Sequence, residues 1–215
     1  MASSGPKDTK GDERHSRILS AALEVFSKSS FDAATTQEIA RRAHVSKRDL
    51  YAAFPDKHAI LIEVIETVLE NGEVNLRRTV AESLKTLKPN QVTLEIVGLA
   101  LLNEILSPLE GFVCRLAFAE SATHPLVGKK YFESWFTRRN QIVAQALSAC
   151  FDKGKGQARL PYDKNQASKQ FLALITHLPQ LTVCLGLTGM WTPKSVQAHV
   201  KNSVASFFKA NPSFK

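Results

Sequence analysis

Residues 36–55, TQEIARRAHVSKRDLYAAFP, decide the fold of this chain. Ile39, Ala40 and Ala43 stand at i, i+1 and i+4, Val45 follows, and Leu50 and Phe54 repeat four residues apart. This spacing predicts two short helices that cross at a fixed turn, a helix-turn-helix. Ala40 suits a point where the helices approach closely, with Val45 and Leu50 filling the space between them. His44 falls in the turn, where a positive φ is expected; Gly is cheapest there, and His is among the other residues enriched in that region. Thr36 reads as the N-cap of the first helix, and Pro55 ends the second. In such a motif the helix over 47–53 offers Lys47, Arg48 and Asp49, at its start, to base edges in a major groove.

Outward from this pair, Ile18, Ala22, Val25 and Phe26 line one face of a helix over 17–28 that covers it. Three helices suffice for a small DNA-reading domain, expected over 14–57, after a polar, disordered tail over 1–13. Asp56 reads as the N-cap of a long helix from about His58 to Leu87, which Asn71-Gly72 could bend. Further helices are expected at about 92–106, 109–122, 126–151, 164–187 and 193–209, the penultimate one kinked at Pro179. The expected fold is all-α, with about nine helices in all. No alternating strand pattern is present.

Residues 17–61 resemble the DNA-binding region of the tetracycline-repressor (TetR) family. The matching positions are the amphipathic first helix, Phe31, Thr35-Thr36, Ile39-Ala40, Ala43-x-Val45-Ser46, Leu50-Tyr51, Phe54 and Lys57 before Leu61. The resemblance implies that Thr36 and Tyr51 contact phosphates, that Lys57 donates to the DNA backbone, and that Ser46, Lys47, Arg48 and Asp49 lie on the DNA-facing surface. Short polar and basic side chains of this kind position a protein on a duplex without reading its sequence. The chain departs from the family pattern at Ser30 and His44, where glycine is usual, and at Arg48-Asp49, where a small pair is common. The last departure alters the reading surface. Beyond Leu61 the resemblance is looser, carried by FAESATHP and GQARLPYD.

Composition fits such a regulator without identifying it. The chain has 215 residues, 44% of them hydrophobic, and a net charge of +8. Residues 1–60 hold ten Lys/Arg against eight Asp/Glu and the remainder eighteen against twelve, so basicity is spread out. The local set Arg41, Arg42, Lys47, Arg48 and Lys57 is the better signal for nucleic acid. Cys114, Cys150 and Cys184 have no metal-ligand or redox spacing and read as buried reduced thiols; no metal or other cofactor is expected. The polar start lacks the apolar core of a signal peptide, so a cytoplasmic location is expected. Phe171 to Trp191 is uncharged over 21 residues, yet it is interrupted by Pro179, polar residues and two glycines. It reads as a buried bundle helix, with no membrane partner expected.

The region over 58–215 is expected to bind an effector and a second subunit. Phe112, Cys114, Phe118, Phe132, Trp135 and Phe136 crowd the middle helices and suit a small apolar or aromatic ligand, with core filling as their alternative; Glu120 and His124 are candidate polar anchors, against a helix-surface pair for Glu120 and a helix cap before Pro125 for His124. The stripes Phe171, Leu174 and Leu178, and Val196, Val200, Val204 and Phe207, lie on the last two helices. The TetR resemblance implies that these pair across a homodimer, as two recognition helices on one palindromic operator require. The expected function is a ligand-released, DNA-binding transcriptional repressor. The chain holds no phosphate loop, nucleophile elbow, zinc helix or di-iron motif, so an enzyme is not expected. The rival reading is a helical small-molecule carrier or adaptor without specific DNA binding.

Overall fold

In the computed structural model, residues 9–86, 91–151 and 164–211 are described, and the side chains of Thr9, Cys150 and Phe151 fall outside that description. Every element among them is helical: α1 (Thr9–Lys28), α2 (Thr36–Arg42), α3 (Lys47–Ala53), α4 (Lys57–Thr86), α5 (Gln91–Ile105), α6 (Pro108–Ser121), α7 (Pro125–Phe132), α8 (Arg138–Phe151), α9 (Lys164–Cys184) and α10 (Pro193–Ala210). A π turn, Glu133–Thr137, joins α7 and α8 into one uninterrupted rod, and a short 3-10 turn, Thr188–Met190, precedes α10. Counting that rod once gives nine helices among the described residues, the number expected. The chain divides into two compact units, 1–67 and 68–215.

The first unit is built as the apolar spacing requires. Ile18, Ala22, Val25 and Phe26 of α1 are buried with Ile39, Ala40, Ala43, Leu50 and Phe54, and Ile60, Leu61, Val64 and Ile65 of α4 join them. Burying each large side chain contributes roughly 1.5–3 kcal/mol. α1 opens at Thr9, inside the stretch expected as tail, and carries His15, which hydrogen-bonds Glu63 and stacks on Phe54. His44 has φ +54°, the sole positive value for a non-glycine among the described residues. The N-cap of α2 is Thr35 rather than Thr36: the Thr35 hydroxyl accepts from Glu38 N at 3.2 Å. Thr36 is thereby released from capping. Asp56 caps α4 as expected, accepting from Ala59 N at 2.8 Å.

In the second unit, Leu94, Val97, Leu101, Ile142, Phe171, Ile175, Val200 and Phe207 are among the side chains of one core drawn from α4, α5, α8, α9 and α10. Gly98 allows the close approach at its centre, since a Cβ there would lie 2.9 Å from Val200 Cγ1. α9 runs through Pro179, whose ring nitrogen cannot donate to the Ile175 carbonyl four residues back. His199 of α10 supplies the missing donor, its Nε2 lying 2.9 Å from Ile175 O. The ring packs edge-on against Trp191, whose indole N–H bonds Thr182 Oγ1 at 2.7 Å. α4 continues through Gly72 among the residues of one helix. That glycine makes room for charge: a Cβ would lie 2.2 Å from Glu110 Oε1 and 2.9 Å from Arg139 Nη2.

Candidate DNA-reading surface and effector cavity

The start of α3 is set by Ser46, whose hydroxyl accepts from Asp49 N at 3.0 Å and donates to Asp49 Oδ2 at 2.6 Å. Asp49 also faces Arg14 of α1 at 3.6 Å. The Ser46 hydroxyl, followed by Arg14 and Arg48, holds its carboxyl below the usual range. Asp49 is thus engaged in starting the helix and tying it to α1. Lys47 and Arg48 beside it are exposed and make no ion pair among the described residues.

Arg41 and Arg42 are differently placed. Arg41 meets Glu38 at 2.7 Å, and Arg42 reaches both Glu38, at 2.7 Å, and Glu24, at 2.6 Å. These bonds lower the Glu38 carboxyl to about 2. Exposed pairs of this sort add little stability, but they neutralise two of the five cations that pointed to nucleic acid. The released Thr36 hydroxyl shares a 2.9 Å hydrogen bond with the hydroxyl of Tyr51, a half-exposed residue on α3. The two expected phosphate contacts therefore form one polar spot.

Lys57 is placed elsewhere. Its ammonium donates to the carbonyls of Phe31 at 2.6 Å, Ala34 at 3.0 Å and Asp32 at 3.4 Å, and sits 4.4 Å from the centre of the Phe31 ring. All three of its protons have partners within the loop between α1 and α2. These bonds make Lys57 a loop clamp, because the loop's carbonyls have no helical partners and converge on the start of α4.

In the second unit a cavity of about 340 Å³ opens among α6, α7, the π turn and α9. Phe118, Phe132, Trp135 and Phe136 line it, together with Tyr131 and Gln180. Phe132 stacks on Phe136 at 5.1 Å. Gln180 donates to the Tyr131 hydroxyl at 3.1 Å and gives the aromatic box its polar group. Phe112 and Cys114 do not line this cavity. Cys114 is turned toward Cys184, with sulfurs 3.6 Å apart, and burial and the neighbouring sulfur push the Cys184 thiol up to about 12, keeping it protonated. His124, weighed as an anchor, is the N-cap residue of α7.

The proposed dimer stripe divides. Phe171, Val196, Val200, Val204 and Phe207 are buried in the protomer's own core, so they cannot also meet a partner. Leu174 is partly buried, whereas Leu178, Leu181, Leu185, Leu187 and Met190 are exposed around the end of α9. No single helix among the described residues is long and apolar enough to cross a membrane, and Phe171 to Cys184 belongs to a bundle helix as expected.

A short helix pair with a cationic leading turn, followed by a helical unit enclosing an aromatic cavity, defines a helix-turn-helix transcriptional regulator. The sequence matches the profile for bacterial regulatory proteins of the tetR family over residues 18–64, and that for the AefR-like transcriptional repressor C-terminal domain over 92–210. The chain belongs to the TetR family of transcriptional regulators, which are not enzymes. It is 31% identical over 144 residues to the HTH-type transcriptional activator FasR of Mycolicibacterium smegmatis, a stretch covering 66% of this chain and 57% of FasR. The fold is shared with a TetR-family regulator from Mesorhizobium loti (TM-score 0.84, 19% identity, 94% and 98% of the two chains). It is shared also with Thermus thermophilus FadR, solved with lauroyl-CoA (TM-score 0.63, 19% identity, 90% and 93%).

Proposed function

We propose that this protein is a cytoplasmic repressor that binds a roughly palindromic operator as a homodimer and is released by a small apolar or aromatic effector. The observation that carries the reading is the pairing of exposed Lys47 and Arg48 with the Thr36–Tyr51 hydroxyl pair on the helix-turn-helix. Arg48 suits guanine, which offers two acceptors in the major groove, while Thr36 and Tyr51 suit phosphate oxygens. Ser46 and Asp49 act behind them by fixing the first turn of α3. The match to a repressor's C-terminal domain favours repression over the activation for which FasR is named. The second copy is best accommodated by exposed Leu178 and Leu181, near the end of α9, and Leu185 just beyond it.

The lining of Phe118, Phe132, Trp135 and Phe136, with Gln180 as the sole amide among them, supports a largely apolar effector carrying one hydrogen-bonding group. α4 runs from Lys57 to Thr86 without a break and contributes to both units, so it is the element whose shift would alter the spacing of paired recognition helices. Fluorescence anisotropy with a library of palindromic duplexes tests the reading. Wild type should select a consensus, Arg48→Ala should change one symmetric pair of positions, and Tyr51→Phe should weaken all sequences alike. Leu181→Glu should give monomers in light scattering and lose operator affinity. Absence of any sequence preference would leave a carrier or adaptor.

A further inference from the structure

The second unit contains another cavity, of about 380 Å³, whose wall sets amide, hydroxyl and carboxylate side chains among apolar ones, where that of the first is aromatic. Asn75 and Thr79 of α4, Asn103 and Glu104 of α5, and Glu110 of α6 contribute to it. Arg139 of α8 is fully buried and serves both carboxylates, Nη2 lying 2.7 Å from Glu110 Oε1 and 3.0 Å from Glu104 Oε2, with Nε donating to Glu104 at 3.1 Å. Glu73, the next carboxylate, has its own cations in Arg77 at 2.8 Å and Arg138 at 3.4 Å. Two carboxylates against one guanidinium leave one negative charge unmatched. Glu110 Oε2 is buried without a hydrogen bond of full geometry, the neutral Trp135 indole beside the carboxylate supplying no charge, and its side chain is only 7% exposed. An unmatched buried charge is expensive, so the site must take up a proton or a cation.

We propose that this cavity binds a small monovalent organic cation bearing N–H donors, a protonated primary amine or a guanidinium, on Glu104 and Glu110. One unit of charge suffices, and a divalent metal would overshoot it while facing the Arg139 guanidinium. The amides of Asn75 and Asn103 and the hydroxyl of Thr79 complete a wall suited to a polar ligand of a few heavy atoms. When the cavity is empty, burial, with Glu110 and Glu73 adding to it and Arg139 opposing, raises the Glu104 carboxyl to about 8. The incoming ammonium replaces that proton: neutral Glu104 and a protonated amine give an ion pair and one released proton.

Calorimetry on the full chain at fixed ionic strength tests the site, with n-butylammonium and methylguanidinium as probes and n-butanol and tetramethylammonium as controls. Both probes should bind saturably, and one proton should be released per cation, read from the dependence of heat on buffer. Affinity should rise close to ten-fold per pH unit up to about 8, as for any ligand that competes with a proton. Glu104→Gln should weaken binding at least ten-fold, and Asn75→Leu, a change at an exposed position, several-fold. Far-ultraviolet circular dichroism checks that each variant is folded; should Glu104→Gln unfold, Asn75→Leu decides. Equal binding by tetramethylammonium, no proton release, unchanged affinity in the folded variants, or no saturable binding at millimolar probe would overturn the proposal.

Discussion

Lys57 Nζ donates a 2.6 Å hydrogen bond to the carbonyl oxygen of Phe31, and the ring of the same residue lies 4.4 Å from the ammonium. One cation therefore closes the α1–α2 loop through both the backbone and the side chain of a single residue. Lys57→Ala should destabilise the protein by roughly 1.5–3 kcal/mol, the range for hydrogen bonds to a charged group, as measured by urea unfolding. The salt dependence of operator binding should keep its slope. A slope reduced by about one per subunit would instead identify Lys57 as a phosphate contact.

His44 carries the left-handed backbone conformation of the turn at φ +54°. His44→Gly should stabilise the protein by about 0.5–1 kcal/mol, because glycine adopts this region without steric cost. His44→Val should destabilise it by about 1–2 kcal/mol, since a β-branched side chain tolerates the region poorly. Denaturant midpoints of the two variants on the same side of wild type would contradict the assignment.

His199 and Pro179 are coupled through the Ile175 carbonyl. His199→Ala leaves that buried oxygen unpaired and should cost about 1–3 kcal/mol. Pro179→Ala restores an amide proton four residues after Ile175, so it should cost less in the His199→Ala background than in wild type. A double-mutant cycle measures the difference directly, and strict additivity would show that the imidazole contributes packing alone.

Glu104 sets a pH dependence with a definite sign. Its carboxyl is raised from 4.5 to about 8, first by burial, with Arg139 opposing and Glu110 and Glu73 reinforcing. Between those values the folded protein keeps a proton that the unfolded chain has lost. The resulting stability is complete below about pH 4.5 and disappears as pH rises through 8. Urea midpoints should accordingly fall from pH 5 to 8.5, and Glu104→Gln should flatten this trend. An equally steep trend in the variant would place its origin in another group.

The helix-turn-helix was readable because its apolar residues recur locally: Ile39, Ala40, Leu50 and Phe54 are all buried, and their spacing alone requires two crossing helices. The stripes on α9 and α10 were equally visible, but a stripe records that a face is covered, never by what. Val200 and Phe207 are covered by their own chain, whereas Leu178 and Leu181 are exposed. Long-range pairs left no sequence signal. Cys114 and Cys184 are 70 positions apart, and Arg139 gave no sign that α5 and α6 would each bring it a carboxylate. Gln180 was missed as a cavity residue because it lies on α9, far in sequence from the aromatic cluster it completes. The Lys57 role was transferred from the family motif, which gave no sign that the carbonyls of residues 31, 32 and 34 converge on its ammonium.

The π turn between α7 and α8 bears on chain length as well as on residue type. Such a turn holds one residue more than regular α-helix would over the same path. Deleting any one of residues 133–137 would let the rod close up as ordinary helix with its downstream side chains still on their present faces, whereas a deletion in regular helix rotates everything beyond it by about 100°. Arg139 would keep its bearing toward Glu104 and Glu110, and Phe132, upstream, would keep its own. Two chains that differ by one residue here can thus present the same lining side chains on the same faces, so this turn is where the length of the rod can change without rebuilding the cavity.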